Sequence, residues 1–378
     1  QIVHDELAEI VGKYGDERRT EIIPATGDVT DEDLIARENV VVTITSTGYA
    51  KRTKVDSYKA QKRGGKGVRG AELKQDDIVK NFFVCSTHDW ILFFTNFGRV
   101  YRLKAYELPE GGRAARGQHV ANLLEFQPEE KIAQVIQIQS YEDAPYLVLA
   151  TQQGRVKKSR LTDYESARSA GLIAINLNEG DALIGAQLVS EGDDILLTSE
   201  QGQAIRFTAD DDQLRPMGRA TAGVKGMRFR GDDQLLSMSV VHDGEFLLVA
   251  TSGGYGKRTA IEEYTPQGRG GLGVMTFKYT PKRGKLIGAI SVDEDDEIFA
   301  ITSAGGVIRT EVDQIRPSSR ATMGVRLVNL ADDVELLAID RNVEEDGEED
   351  AQAVAKGEKT VDEVQQEHKA GDASKDEE

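Results

Sequence analysis

The seven residues QKRGGKG, Gln61 to Gly67, combine cationic side chains with three glycines. Because glycine has no Cβ, a ligand can approach the backbone amides closely, and Lys62, Arg63 and Lys66 are presented together. Phosphate is the ligand that such a loop favours, since arginine can bind it bidentately and lysine adds a compact charge. For this loop alone, a solvated basic hairpin is an equally good interpretation.

The formal net charge of the 378-residue chain is -18, but the charge is concentrated at the ends. Residues 343–378 carry a net charge of -10 and residues 1–39 a net charge of -7, which leaves -1 for residues 40–342. A nearly neutral body can still present a basic stripe, because the local field depends on the arrangement of charges. The acidic composition therefore does not exclude a polyanionic partner.

Six copies of one pattern occupy the body of the chain. In each copy a glycine precedes a cation by four residues, and these glycines are 48 to 56 residues apart. An arginine followed closely by a second glycine comes later in every copy. The first cations are Arg52, Arg102, Lys158, Arg206, Arg258 and Arg309, and the later arginines are Arg63, Arg113, Arg168, Arg219, Arg269 and Arg320.

Short apolar runs such as VVVTIT and WILFF lead into each first glycine, which is typical of a strand that ends at a hairpin turn. Units of this length with four short strands and little helical periodicity predict an all-β fold, a closed propeller-like ring of six four-stranded blades. On the rim of such a ring the repeated cations would form a continuous track for a nucleic-acid backbone, without reading base sequence. Six unrelated solvated cations are the alternative.

Three segments are expected along the chain. Residues 1–38 form a short helix and a linker, because Leu7, Ile10, Val11 and Tyr14 share one helical face. Residues 39–342 form the six-bladed ring. Residues 343–378 are acidic and have few apolar side chains, so we expect them to be disordered and to compete with a nucleic-acid backbone for the basic rim.

The sequence contains no recognisable catalytic or metal-binding constellation. The five histidines lie in five separate segments, and the single cysteine, Cys85, lies between apolar neighbours, which favours a buried thiol in a reducing compartment. Two G-x-G-x-x-G matches, at Gly65 and Gly268, lack the preceding strand of a dinucleotide site. We expect no cofactor, no metal, no membrane span and a cytoplasmic location.

The segment QKRGGKG resembles the GyrA box, usually QRRGGKG, which is found in the C-terminal domain of the DNA gyrase A subunits; Lys62 replaces an arginine. The six repeats, the acidic tail and YGDERRT at Tyr14 to Thr20, which is similar to the end of the preceding cleavage domain, also fit that family. The resemblance implies a β-pinwheel, in which blades exchange strands and DNA wraps around the outer edge. The box residues carried over are Gln61, Lys62, Arg63, Gly64, Gly65, Lys66 and Gly67.

The family resemblance also implies a role in DNA supercoiling. In that role the domain wraps double-stranded DNA with positive handedness and presents it for ATP-dependent negative supercoiling. The implied partners are the remainder of the gyrase A protein and the gyrase B protein in an A2B2 complex, and ATP and Mg2+ would be used elsewhere in that holoenzyme. Two alternatives stay open, the C-terminal domain of an A-type protein of topoisomerase IV and a propeller that serves as a protein-binding scaffold.

Overall fold

The computed structural model describes residues 2–15, 31–58, 77–166, 171–304 and 306–371, in two compact units, Gln1–Ala36 and Arg37–Glu378. The described residues of the first unit include the predicted helix, α1 (Ile2–Tyr14), and a 3-10 turn at Asp31–Leu34. The four apolar residues assigned to one face of α1 are exposed. No helix among the described residues is long and apolar enough to cross a membrane.

The second unit is built from short strands. The strands of the first two repeats are β1 (Asn39–Thr45), β2 (Tyr49–Lys54), β3 (Val79–Ser86), β4 (Trp90–Thr95), β5 (Arg99–Lys104), β6 (Gln118–His119) and β7 (Ile132–Ile138). Those of the next two are β8 (Tyr146–Thr151), β9 (Arg155–Arg160), β10 (Leu172–Ile173), β11 (Leu183–Val189), β12 (Asp194–Ser199), β13 (Gln203–Thr208), β14 (Val224–Lys225) and β15 (Leu235–Val241). The remaining strands are β16 (Phe246–Thr251), β17 (Tyr255–Ala260), β18 (Val274–Met275), β19 (Leu286–Val292), β20 (Glu297–Thr302), β21 (Val307–Glu311), β22 (Val325–Arg326) and β23 (Leu336–Arg341).

The strands form six antiparallel sheets, blades 1 to 6, and so confirm the predicted β-pinwheel. The five complete sheets have the orders β3-β1-β2-β6, β7-β4-β5-β10, β11-β8-β9-β14, β15-β12-β13-β18 and β19-β16-β17-β22. In each of them the outermost strand comes from the following repeat. The sixth sheet has three described strands, in the order β23-β20-β21.

The two repeated glycines make these connections possible. Gly154 has a φ of +76° in the hairpin turn between β8 and β9, a conformation that other residues rarely adopt. Gly223 has a φ of +68° just before the exchanged strand β14, and a Cβ there would overlap the carbonyl oxygen of Val156. The second glycine of a repeat therefore lets the exchanged strand approach the preceding blade.

Consecutive blades are joined by buried apolar clusters. In blade 3, Val148 packs with Ile195 of blade 4, whereas Leu147, which points to the opposite face, packs with Leu92 of blade 2. Burial of each such aliphatic side chain contributes about 1.5–3 kcal/mol. Both faces of an inner blade are therefore covered by its neighbours.

Of the acidic C-terminal segment, the structure describes residues 343–371, and these do not follow the prediction of disorder. They form α2 (Val343–Lys356) and α3 (Val361–Gly371), and the apolar residues Ala351 and Val354 of α2 are buried against blade 1 beside Val41 and Phe82. The prediction was wrong for this segment because a few apolar residues, spaced three apart, are enough to cover one sheet face even in a very acidic sequence.

Blades 6 and 1 meet differently from the other pairs. Lys80 of β3 lies 3.7 Å from Asp340 of β23, and burial raises the pKa of Asp340 although Lys80 opposes the shift. Among the described residues, the buried cluster on this face of blade 1 is completed by α2 and α3. Cys85 is buried in blade 1, and its burial raises the pKa of the thiol.

Candidate nucleic-acid interface

The predicted box, Gln61 to Gly67, lies outside the described residues, as does Arg168. The two ends of the segment that contains the box are both fixed to blade 1. Tyr58 is buried and packs edge-on against Phe82. Asp77 is also buried and accepts hydrogen bonds from Ser46 Oγ at 2.8 Å and from the Thr47 backbone nitrogen at 3.0 Å. The box is therefore carried by two anchored ends on blade 1.

The first set of predicted cations lies on the second strand of each hairpin, and we call these residues the strand cations. They are Arg52, Arg102, Lys158, Arg206, Arg258 and Arg309. Three of them are buried: Lys158 is 0% exposed, Arg258 2% and Arg206 8%. Side chains so placed have little surface to offer to a phosphate.

The buried strand cations are satisfied inside their blades. Arg206 lies 2.6 Å from Asp194 and 2.9 Å from Asp243. Burial lowers the pKa of Arg206, but its hydrogen bonds to the two carboxylates outweigh this effect, so that the pKa is raised. Lys158 donates to the Ala209 carbonyl at 2.7 Å, and Arg258 donates to Glu294 at 2.8 Å. Their geometry is that of structural ion pairs.

The other strand cations are more accessible but also partnered. Arg52 Nε donates to the Leu108 carbonyl at 2.9 Å, and the Arg52 guanidinium lies 3.0 Å from Glu110. The Arg102 guanidinium lies 4.0 Å from the centre of the Trp90 ring. Arg309 is paired with Glu297, and about half of its side chain is exposed, at 53%. The prediction that these three contact phosphate stays a prediction.

The second set of predicted cations lies in the loops that lead to the exchanged strands, and we call these residues the loop arginines. The described loop arginines are Arg113, Arg219, Arg269 and Arg320, and all four are half-buried. Arg219 donates to Ser166 Oγ at 3.2 Å, and Arg269 donates to the Lys225 carbonyl at 3.1 Å. Each of these contacts reaches the exchanged-strand region of the preceding repeat, so the loops follow one another along the outer strands.

Arg113 differs from the other loop arginines because α2 covers it. Its guanidinium lies 2.5 Å from Glu348 and 4.5 Å from the centre of the Tyr58 ring. Tyr58 itself comes just before the segment that contains the box. An acidic side chain of α2 is thus paired with a cation that lies against that anchor.

Further cations that were missed from the sequence lie at or beside the exchanged strands. Arg116 lies 3.6 Å from the centre of the Tyr49 ring, and Arg283 and Arg326 lie 4.3 and 5.1 Å from that of Tyr255. Others are Arg99, Arg155, Lys225 and Arg228. For most of them the signal was a position immediately after a hairpin glycine or around an exchanged strand. Arg283 has no such signal, because it reaches the exchanged strand β22 only through the fold, where it donates to the Gly324 carbonyl at 3.1 Å.

The outer strands of consecutive blades therefore present arginine and lysine side chains, and tyrosine rings lie beside them in blades 1 and 5. Such an edge can hold a run of phosphates by charge, and phosphate contacts do not read base sequence directly. In the described part of the chain, no group of three or more His, Cys, Asp or Glu residues could hold a metal ion.

The sequence is similar to known proteins over most of its length. A family model described as "DNA gyrase C-terminal domain, beta-propeller" matches residues 39–86, 89–139, 145–190, 193–242, 245–293 and 296–342, one match for each blade. The DNA gyrase A subunit of Mycolicibacterium smegmatis is 69% identical over 345 residues, which are 91% of this chain and 41% of that protein. The DNA gyrase A subunit of Streptomyces coelicolor is 62% identical over 348 residues, 91% of this chain and 41% of the relative. The chain thus spans about two fifths of the length of these relatives.

Solved structures show the same architecture. The C-terminal domain of DNA topoisomerase IV matches with a TM-score of 0.77 and 28% identity, and the match covers 86% of this chain and 99% of that structure. A DNA gyrase A C-terminal domain matches with a TM-score of 0.62 and 28% identity, covering 81% of this chain and 100% of that structure.

Proposed function

The chain belongs to the DNA gyrase C-terminal domain, beta-propeller family, and on that premise we propose that it binds double-stranded DNA without sequence preference and wraps it around its outer edge with positive handedness. In the full enzyme this wrapping presents a DNA segment to the cleavage gate for ATP-dependent negative supercoiling. The observation that carries the proposal is the row of loop arginines, together with the further cations beside the exchanged strands, along the outer strands of consecutive blades.

Bending the duplex requires several contacts of this kind. Turning DNA by about 180° over roughly 40 base pairs costs on the order of 10 kcal/mol in elastic energy. A single surface cation cannot offset that cost, whereas a series of phosphate contacts that release counterions can. The spacing of the cations over successive blades suits a long, bent polyanion better than a small anionic ligand.

The holoenzyme supplies what this chain lacks. We propose that its partners are the remainder of the gyrase A protein and the gyrase B protein in an A2B2 complex in the cytoplasm. The cleaving tyrosine, the ATP site and the Mg2+ site would lie in those other parts. This chain would then contribute DNA geometry and no chemical step.

The first test measures binding. A mobility-shift titration at several salt concentrations should give similar dissociation constants for unrelated duplexes and a steep salt slope. A variant with Arg219, Arg269 and Arg320 changed to alanine should bind more weakly and show a slope smaller by about 2.7, since each lost phosphate contact removes about 0.9. A control with Lys131, Lys356 and Lys359 changed to glutamine loses the same charge at positions outside the exchanged strands and should bind like the parent.

The second test measures wrapping. Ligation of nicked plasmid with the protein bound should shift the linking number in the positive direction. Replacing Gln61 to Gly67 with alanines should largely retain the mobility shift and abolish this change, because elastic energy accumulates along the arc and the terminal contact decides whether the bent state is populated. If the alanine variant shifts the linking number as the parent does, the box is an ordinary solvated loop.

Two alternatives remain distinguishable. The higher TM-score to the topoisomerase IV domain favours a second candidate, an A-type protein of topoisomerase IV. An enzyme of that type would relax and decatenate DNA, whereas the full enzyme proposed here should introduce negative supercoils into relaxed plasmid. A protein-binding scaffold would produce no mobility shift even at low salt.

A further inference from the structure

The residue three positions after the hairpin glycine alternates between two kinds along the six repeats. Repeats 1, 3 and 5 have lysine there, Lys51 on β2, Lys157 on β9 and Lys257 on β17. Repeats 2, 4 and 6 have Tyr101, Ile205 and Ile308 at the same position. The three lysines are among the most buried side chains of the protein, at most 1% exposed. A buried lysine that recurs in alternate blades requires a structural explanation.

Each buried ammonium binds the main chain of a loop from the following repeat. Lys51 Nζ donates to the carbonyl of Gly112 at 3.1 Å and to that of Arg113. Lys257 Nζ donates to the carbonyls of Ser319 at 2.6 Å and Arg320 at 2.5 Å.

Lys157 repeats this arrangement in blade 3. Its Nζ donates to the carbonyls of Ala174 and Arg219. In all three blades, therefore, one acceptor is the carbonyl of the loop arginine itself. Hydrogen bonds from an ionised donor are about twice as strong as neutral ones, so this contact holds the backbone of the arginine firmly.

The loops held in this way share a sequence that the others lack. They read RAARG, RATAG and RATMG, whereas the loops of repeats 1, 3 and 5 read RGGKG, RSAG and RGGLG. In the loop of repeat 5, Gly271 lies against Ile205, which stands in blade 4 where blades 1, 3 and 5 have lysine. Gln213 holds this loop instead, since its side chain accepts from the Arg269 backbone nitrogen at 3.1 Å. The molecule thus contains lysine-held loops and a matched loop without lysine.

We propose that Lys51, Lys157 and Lys257 are positioning residues, which fix the main chain at Arg113, Arg219 and Arg320 so that these arginines are preorganised to bind DNA phosphates. The inference rests on the proposed DNA-binding function. A preorganised arginine loses less conformational freedom when a phosphate binds. The lysine acts through the arginine and does not itself contact the ligand.

The environment of Lys157 makes this device sensitive to pH. Burial lowers the pKa of Lys157 to about 7, Asp163 opposes the shift and Arg219 adds to it. The ring of Tyr164, whose own pKa burial raises to about 12, lies 5.9 Å from Nζ and stays neutral. A phosphate held by Arg219 would favour the ammonium form, so DNA binding should take up protons near neutral pH.

Lys257 has the same surroundings in blade 5. Burial lowers the pKa of Lys257 to about 8, with Glu263 opposing the shift and Arg320 adding to it. Both lysines therefore lose their charge between about pH 7 and pH 9. Over that window, we expect the DNA association constant to fall as the pH rises.

The pH dependence of stability has the opposite sign. The folded pKa of Lys157 lies below the usual lysine value of 10.5, so the unfolded chain binds more protons between about pH 7 and pH 10. The free energy of unfolding contributed by this lysine therefore increases with pH in that window. If Lys157 served stability alone, the effect of raising the pH would be a more stable protein. The positioning role predicts in addition that DNA binding weakens over the same pH range.

The test compares the parent with a variant in which Lys157 and Lys257 are changed to methionine, which keeps the aliphatic stem. For the parent, the DNA association constant should fall between about threefold and tenfold from pH 7 to pH 8.5. For the variant it should be several-fold lower at pH 7 and nearly independent of pH. A variant that keeps the parent's affinity and slope would overturn the inference, whereas a parent that does not bind DNA would overturn the proposed function instead.

Two controls test whether the buried lysines cause the pH dependence of DNA binding. His119 lies at the outer edge beside Tyr49, and H119Q should keep the parent's pH slope; loss of the slope in H119Q would assign the effect to that histidine. In double-mutant cycles, K157M should couple to R219A and be additive with R269A. Equal coupling to both arginines would contradict the positioning role.

A measurement on the parent alone covers the case in which the methionine variant fails to fold. Calorimetric DNA binding at pH 7.5, in phosphate and in Tris buffer, gives enthalpies that differ when protons are taken up. The expected result is a difference that corresponds to net proton uptake. Equal enthalpies in the two buffers would overturn the inference.

Discussion

The strand cations and the loop arginines look alike in the sequence, since each set contributes one cation to every repeat, yet the structure gives them different environments. Arg258 and Arg206 are buried and paired with carboxylates of their own or a neighbouring blade. Arg219 and Arg320 lie half-buried in loops at the exchanged strands and donate to neutral oxygens. The difference shows that a repeated cation identifies a repeat, and that burial and partners decide between a structural and a ligand-binding role.

The largest expected effect is on stability, at a strand cation. R206M should lower the free energy of unfolding by about 3 kcal/mol, because it leaves the nearly buried carboxylate of Asp194 without its partner. Urea unfolding measures the change. R320A is the matched loop variant and should change stability by no more than about 1 kcal/mol. Equal losses in the two variants would remove the distinction between the sets.

A smaller effect is expected on DNA affinity, at the loop arginines. Changing Arg219 and Arg320 to alanine together should weaken binding by about tenfold, or about 1.4 kcal/mol, since two phosphate contacts are lost. Fluorescence anisotropy with a labelled duplex at fixed salt measures the loss of affinity. Circular dichroism at the same protein concentration checks that the variant is folded. If the double variant binds like the parent, the loop arginines are solvated side chains.

Arg113 is a loop arginine that resembles a strand cation, because a carboxylate of the C-terminal helices is paired with it. E348Q removes the negative charge that is paired with Arg113. We expect DNA binding to tighten by about two- to fivefold, because a partly exposed ion pair contributes only a small free energy. E349Q removes the same charge from an exposed neighbour and should tighten binding less. Equal gains would mean that only the net charge of α2 matters.

The smallest effect is expected at Arg309, the strand cation that is more than half exposed. R309A should change the free energy of unfolding by less than about 0.5 kcal/mol, because its ion pair with Glu297 lies at the surface. A thermal or urea unfolding curve is sufficient to detect a larger change. A loss comparable to that of R206M would show that position in the repeat, and not burial, sets the role of a strand cation.

The fold could be predicted from the sequence because its signals are local and repeated six times. Hairpin glycines such as Gly154 and apolar runs of four to six residues define the strands, and the fixed spacing defines the number of blades. The short exchanged strands, two residues each, carry no such signal, and the exchange came only from the family resemblance. The helices α2 and α3 were missed because composition outweighed the spacing of a few apolar residues such as Ala351 and Val354.

The site was harder to predict, for a physical reason. In a strand, neighbouring side chains point to opposite faces, and both faces of a blade are covered by other blades. The sequence placed Lys158 on the rim, whereas the structure buries it, because inter-blade packing and the partner Ala209, fifty-one residues away, decide its exposure. The cations at the outer edge, such as Arg155 and Arg326, depend on the same long-range arrangement.

The exchange of the outermost strand has a consequence for how the protein is made. Blade 1 lacks β6 until the chain has been synthesised some sixty residues beyond β2, which at roughly 5–20 residues per second takes several seconds on the ribosome. During that interval the outer edge of each new sheet is an unpaired strand, open to wrong partners. Each of the first five blades is completed only by the arrival of its successor, so the order of translation is also the order in which their outer strands are covered.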